Sequence, residues 1–261
     1  MRIGLVQLCA QGYGEASLAD ALTRTRAAAA DADVVALPES YAGFGGLDAR
    51  LPWAFETNAP EHGATVAPFV ALSLEFPTTI VLGGTPERAD DGRTFNTALV
   101  IRDGHIIARY RKERLFDARL PDGTQLRESR HTAAGERGQD VVVATSTLSL
   151  GLSICFDLRF PEHYQRLRAR GADVLLVPSA FTRPTGAAHW EVLLRARAIE
   201  TQCFVVAPAQ CGEHGGGRSS WGHSLVISPW GDVLADAGEE PGTLVVDLDT
   251  QALTDARARF G

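Results

Sequence analysis

"GADVLLVPSA" (residues 171–180) decides the architecture. Val174–Val177 is an unbroken aliphatic run, stopped by Pro178 and preceded by a helical stretch that ends at Gly171. A near copy, "DADVVALPES", occupies residues 31–40, again behind a helical stretch. An apolar run without polar alternation reads as a strand covered on both faces. Two such units far apart in one chain predict two similar α/β halves around a pseudo-twofold axis. The expected fold is a layered α/β sandwich with no linker.

The neighbouring segments fit this scheme. Ile3–Cys9 and "TIVLGG" (79–84) read as strands, and Ser17 is placed to cap a helix whose apolar stripe runs from Leu18 to Ala29. Val66–Phe76 reads as a helix. "TALVIRDGHIIARY" (97–110) reads as a hairpin around Asp103-Gly104. Residues 112–138 are polar and irregular. Beyond them, Val141–Ile154 holds one or two strands, and a helix runs from about Pro161 to Arg170 and stops at Gly171. Residues 189–202 read as a helix with Trp190, Leu193, Leu194 and Ala198 on one stripe, residues 203–209 as a strand, and 223–238 as a second hairpin.

The 261 residues are 45% hydrophobic and 22% charged, as in an ordinary globular chain. A formal net charge of -7 argues against a nucleic-acid partner. Cys9, Cys155, Cys203 and Cys211 form no C-x-x-C pair and read as reduced thiols, so a cytoplasmic protein is expected. The first residues lack a secretory core, and no apolar run is long enough for a membrane span.

Active groups of open α/β sheets collect beyond the carboxyl ends of strands. Three such ends carry reactive residues here: Glu39, Lys112 and Cys155. A thiol needs a base or a cation to become a nucleophile, a carboxylate supplies the first, and a lysine stabilises both thiolate and oxyanion. Taken singly, each has a plainer reading. Cys155 fits as a small core residue, Glu39 as an ion-paired loop acid, and Lys112 as part of the solvated run "RYRKER". A cysteine–histidine pair drawing on His163, His189 or His223 is a further alternative, although "CFDLRF" lacks the papain pattern.

Taken together, "LPES" (37–40), "YRKERLFD" (110–117), "RES" (127–129), "GLSICFDLRFPE" (151–162), "AHWEVLLRARAIETQ" (188–202) and "WGHSLVISPWGDVLADAG" (221–238) make the chain resemble the nitrilase superfamily of carbon–nitrogen hydrolases. The resemblance implies a four-layer α-β-β-α sandwich formed by one domain over residues 1–261. It implies Cys155 as nucleophile, Glu39 as general base, Lys112 as oxyanion stabiliser and Glu128 as a second acid, with Glu136 its local rival. The backbone N–H of Phe156 would be the second oxyanion donor. Relatives usually carry histidine where this chain has Arg114. Residues 178–214 look most like the Nit branch, which hydrolyses deaminated glutathione through a thioester. ω-Amidase, N-carbamoylase and a catalytically silent scaffold are the alternatives. Carboxylate substrates call for a cationic pocket, for which Arg159 and Arg183 are candidates, with Phe156, Phe181 and Trp190 as walls. An ion pair of Arg159 with Asp157 or Glu162 is an equal reading. The implied partners are a small-molecule amide and a second copy in a homodimer, with no metal or organic cofactor.

Overall fold

Val34–Ala36 and Val174–Leu176, the strands of the two echoing segments, lie in the middle of two different sheets. The computed structural model describes residues 1–119, 123 and 125–260. The first half of the chain lays down β1 (Arg2–Gln7), α1 (Glu15–Ala29), β2 (Val34–Ala36), a short α2 (Leu47–Arg50), α3 (Ala67–Glu75), β3 (Thr79–Arg88), β4 (Thr94–Arg102) and β5 (His105–Arg111). A small ribbon of β6 (Asp117–Arg119) and β7 (Gln125–Arg127) and the short β8 (Thr132–Ala133) follow, where the polarity of the sequence predicts mainly loop. Residues 120–122 and 124 of that segment lie outside the described residues. The second half runs β9 (Val142–Ala144), β10 (Ser149–Leu152), α4 (Pro161–Ala169), β11 (Val174–Leu176), α5 (Arg183–Thr201), β12 (Phe204–Ala207), β13 (Cys211–Glu213), β14 (Ser219–Trp221), β15 (Leu225–Ile227), β16 (Val233–Asp236), β17 (Gly242–Asp247) and α6 (Thr250–Phe260).

One sheet has the order β17-β1-β2-β3-β4-β5 and the other β9-β10-β11-β12-β15-β16. Read position by position, the two orders match. An antiparallel edge strand comes first, three parallel strands follow, and an antiparallel hairpin closes each sheet. The pseudo-twofold arrangement expected from the echo is therefore present strand for strand.

Side-chain alternation explains the layers. Val34 and Ala36 of β2 point into a core shared with Val174, Leu176, Val206 and Val226 of the other sheet. Val35 and Leu37 point the other way, into a second core with Ala21 and Ala28 of α1 and Phe69 and Leu72 of α3. On the far side, Tyr164 and Leu167 of α4 and Trp190, Leu194 and Ala198 of α5 cover the second sheet. Helices, sheet, sheet and helices thus form four layers. Each fully buried aliphatic side chain contributes about 1.5–3 kcal/mol.

Two local expectations are corrected. Ser17 does not cap α1, which begins at Glu15. Its hydroxyl instead accepts from Gln11 N and donates to Gly12 O, both at 3.2 Å, and so ties down the preceding loop. The helix expected from residue 189 begins at Arg183, because Pro184 suits a first helical turn where its missing N–H is not needed. It ends where Gln202 turns left-handed at φ 53°. The hairpin at Asp103 (φ 51°) and Gly104 (φ 75°) is as expected.

The two halves meet closely at Gly83. A Cβ there would lie 2.0 Å from Leu37 O and 2.4 Å from Pro178 Cβ, the prolines' loops of the two echoing segments being pressed against one backbone. The β3–β4 register shifts at this point. Gly83→Ala is expected to destabilise the protein by about 1–3 kcal/mol through overpacking. Chemical denaturation beside Gly46→Ala, where nothing lies within 4 Å of the added methyl, is the check; equal stability of the two variants would mean that the halves are not held at Gly83.

Candidate active site

Three strand ends deliver the reactive groups. Glu39 follows β2, held by Leu37 N–H donating to Val81 O (2.9 Å) and Ser40 N–H to Gly84 O (3.1 Å). Lys112 follows β5, its N–H donating to Asn96 O (2.9 Å) and its carbonyl accepting from Gly135 N (2.8 Å). Cys155 opens a single 3-10 turn, Cys155–Arg159, just past β10. Its backbone is left-handed (φ 48°), a costly state for a side chain with a Cβ. The Cys155 N–H is spent on Pro178 O (2.9 Å). The next N–H, of Phe156, donates to no acceptor among the described residues and stands free beside the sulfur. The buried Asp157 clamps this turn, accepting from Ile154 N (2.9 Å), Tyr110 Oη (2.8 Å) and Arg114 N (3.0 Å).

Lys112 Nζ donates to Glu39 Oε1 at 2.9 Å and to both oxygens of Glu128 at 3.1 and 2.9 Å. Asn96 Nδ2 adds a bond to Glu39 Oε1 (2.8 Å) and Ala180 N–H one to Glu39 Oε2 (3.1 Å), and the Cys155 thiol interacts with the same carboxylate. Burial alone would raise the Glu39 carboxyl; the charge of Lys112 and these hydrogen bonds bring it below its ordinary value. Burial likewise works against the charge of Lys112, but Glu128 and Glu39 more than offset it and push the ammonium up. Cys155 is pushed well above an ordinary thiol by burial and by the Glu39 charge, against the pull of Lys112. The resting state is therefore a carboxylate, an ammonium and a protonated thiol in one network. A base interacting with a nucleophile, with a cation and a free N–H alongside, is equipped for acyl transfer.

A narrow cleft leads to the sulfur, lined by Phe116, Cys155, Phe156, Arg159, Ala180, Phe181 and Thr185. The Arg159 guanidinium stands 5.8 Å from the Phe156 ring and 5.5 Å from that of Phe181, with Nη2 3.3 Å from His189 Nδ1. It pairs with neither Asp157 nor Glu162. Asp157 is occupied by the turn, and Glu162 pairs with Arg114 at 3.0 Å. Arg183 does not join the cleft. It is the first residue of α5 rather than a loop residue, and its Nη1 pairs with Glu239 at 3.2 Å. Trp190 sits behind the wall, packed on Phe181 with ring centres 4.8 Å apart and donating Nε1–H to His223 O (2.7 Å).

Glu128, at the head of a 3-10 turn after β7, reaches Lys112, whereas Glu136 is exposed. Among the described residues no histidine bonds to Cys155. His163 bonds Leu152 O (3.1 Å), and His223 faces Asp236 (3.0 Å). Glu113, Asp140 and His163 have the donor types to hold a metal and lie close together, but Arg166 Nε already covers both Asp140 oxygens at 2.9 and 3.0 Å. Asn96, Ala180 N–H and Phe116 escaped the sequence reading. Asn96 was detectable as the one amide of β4, whereas a backbone N–H such as that of Ala180 carries no side-chain signature.

Comparison with known proteins agrees with this geometry. The carbon-nitrogen hydrolase family model matches residues 2–258. A deaminated glutathione amidase of Synechocystis sp. is 43% identical over 232 residues, covering 88% of this chain and 84% of that protein. Among solved structures, Saccharomyces cerevisiae Nit3, a member of branch 10 of the nitrilase superfamily, superposes with a TM-score of 0.85 at 28% identity, covering 100% of this chain and 94% of that one. An amidase from Nesterenkonia sp. gives 0.81 at 28% identity, with 99% and 94% covered. With its two matched sheets and the convergence of cysteine, glutamate and lysine at their strand ends, this chain belongs to the carbon–nitrogen hydrolase family of the nitrilase superfamily.

Proposed function

We propose that the chain, working as one domain, hydrolyses the amide of deaminated glutathione, giving α-ketoglutarate and cysteinylglycine. The observation that carries this reading is a buried thiol beside a hydrogen-bonded carboxylate and ammonium, behind a cleft that holds an arginine with no carboxylate partner among the described residues. Glu39 takes the Cys155 proton as the sulfur attacks the carbonyl carbon. Lys112 and the Phe156 N–H hold the oxyanion. Glu39 returns the proton to the departing amine and leaves a thioester. It then takes a proton from water, which adds to the thioester; collapse of the second oxyanion releases the acid and restores the thiol. Glu128 keeps Lys112 oriented and charged. Arg159 receives the carboxylate on the acyl side of the substrate, between Phe156 and Phe181. Arg183 and Trp190 have no part in substrate contact in this scheme.

The 43% identity with a relative named for this activity supports the substrate, as does the cationic cleft. The discriminating experiment compares kcat/KM on deaminated glutathione, α-ketoglutaramate, simple nitriles and N-carbamoyl amino acids. Preference for nitriles would overturn the substrate and leave the thioester chemistry standing. Turnover of none of them would favour a silent scaffold.

We also propose a cytoplasmic homodimer. All four cysteines are free, as in a reducing compartment. Among the described residues, no helix is long and apolar enough to cross a membrane. The outer face of α5 exposes Val192 (63%) and Ile199 (51%) beside a groove of about 580 Å³ that Cys155 does not line, a surface suited to an isologous contact with a second copy.

Lys112→Ala is expected to lower kcat by at least about a hundredfold, the usual loss for one oxyanion donor; near-normal turnover would remove Lys112 from the chemistry. With Glu39 held below the carboxylate range and Cys155 above the thiol range, kcat/KM should stay flat from about pH 5 to about pH 8. An acid limb centred near neutrality would show that Glu39 is not held low. Val192→Asp should convert a dimer to a monomer by light scattering, and a monomeric wild type would refute the interface.

A further inference from the structure

The two donors of the proposed oxyanion hole come from different parts of the chain. Lys112 follows β5, and the Phe156 N–H belongs to the 3-10 turn after β10. The bonds of Lys112 Nζ to Glu39 and Glu128 tie the ammonium to the acids, and none of them reaches that turn. A different group spans the gap. The carboxylate of Asp157, a residue 1% exposed, accepts from Ile154 N (2.9 Å) at the start of its own turn. From the other segment it accepts from Tyr110 Oη (2.8 Å) and Arg114 N (3.0 Å), two residues before and two after Lys112. Tyr110 is itself wholly buried, and its Oη accepts from Glu113 N at 3.4 Å. Among the described residues, no other hydrogen bond joins residues 110–114 to residues 154–159.

Burying a carboxylate is costly unless its oxygens are satisfied, and three donors satisfy them here. What they secure is a strained turn. Cys155 is left-handed at φ 48°, a state that persists only where its surroundings hold it. Asp157 grips the residue before Cys155 and directly follows Phe156, whose N–H faces the reacting carbonyl in the mechanism above. On the opposite side Lys112 lies between the two anchored residues, so its backbone cannot move away from the turn while both bonds hold. The Arg114 anchor is backbone, and its side chain turns away to pair with Glu162.

We propose that Asp157 is a positioning residue for amide hydrolysis, stapling the Lys112 segment to the nucleophile turn and so setting the spacing of the Lys112 ammonium and the Phe156 N–H around the oxyanion. The inference rests on the amidase reading above and deepens it. Asp157 does not line the cleft and acts through the backbone on either side of it. A misplacement of about 1 Å in such a constellation costs on the order of a hundredfold in rate. Interactions made only in the transition state show in kcat and leave KM largely alone.

The test measures kcat and KM, per folded molecule by circular dichroism, on the amide that wild type turns over best. Asparagine keeps the shape of aspartate but has one acceptor oxygen and an amide NH2. In Asp157→Asn either the Ile154 or the Arg114 N–H therefore loses its acceptor, and the staple opens at one end. Tyr110→Phe removes one hydroxyl and keeps the ring. Asp157→Asn should lower kcat by about tenfold to a hundredfold with KM changed by less than about threefold, and Tyr110→Phe should lower it by a smaller factor. The double variant should lose no more than Asp157→Asn alone, because both changes act through one carboxylate. Leu72→Ala, in the core between the first sheet and its helices, should lose thermal stability and keep kcat. If Asp157→Asn does not fold, Tyr110→Phe decides by the same split of kcat against KM. An unchanged kcat in the site variants, losses that multiply in the double variant, or an equal loss in Leu72→Ala overturns the staple and leaves the amidase reading intact. A wild type that turns over no amide removes both.

Discussion

A single buried ammonium organises this molecule's chemistry. Lys112 is almost wholly withdrawn from water, and a lone charge so placed would be expelled or neutralised. Two carboxylates, Glu39 and Glu128, keep it ionised, and they come from segments 73 and 16 residues away in the chain. Breaking such a group by removing one partner costs far more than the group adds as a whole. Glu39 reaches this position only because β2 stops at a proline pressed against Gly83, and Lys112 only because its backbone is tied to Asn96. The same Asn96 donates its side-chain amide to Glu39. One residue in the middle of a strand thus fixes both the base and the cation, and the surrounding sheet geometry serves that fixing.

The network also explains why the sulfur is quiet at rest. Burial, and then the charge of Glu39, disfavour a thiolate at Cys155 against the pull of Lys112, and the thiol keeps its proton. In the mechanism proposed above, charge separates only when a carbonyl is present to accept the electron pair. Proton transfer and attack are then coupled, which restrains adventitious chemistry at a thiol that burial already shields.

Much of this was legible in the residues. The repeated "ADV" strand before a proline announced two matched halves, and the matching strand orders follow from it. Glu39, Lys112 and Cys155 could be marked because each is a reactive side chain directly after an apolar run, and strand ends point to one edge of a sheet. What stayed hidden depends on distance in three dimensions. Whether Arg159 pairs with Asp157 or faces the cleft is decided by Asp157 being occupied by three other donors. Arg183 read as a loop cation because the helix signal began at residue 189, yet Pro184 carries the helix back to it and turns its charge toward Glu239. The backbone donor at Ala180 has no side-chain signature at all, since any residue supplies an N–H; that of Phe156 could be named only through the family resemblance.

The pairing of β17 with β1 has a consequence for how the chain comes into being. Residues 242–247 zip onto residues 2–7 across the whole of that strand, and Met1 and Leu248 bond each other's backbone on both sides. On the ribosome, β1 therefore waits through the synthesis of all the strands between it and β17. Until then its outer edge is a bare row of amides and carbonyls beside an aliphatic face, the sort of template that recruits stray strands. The nascent polypeptide stays open to misassociation while the strands between are made, and the emergence of β17 is the moment at which that edge is sealed.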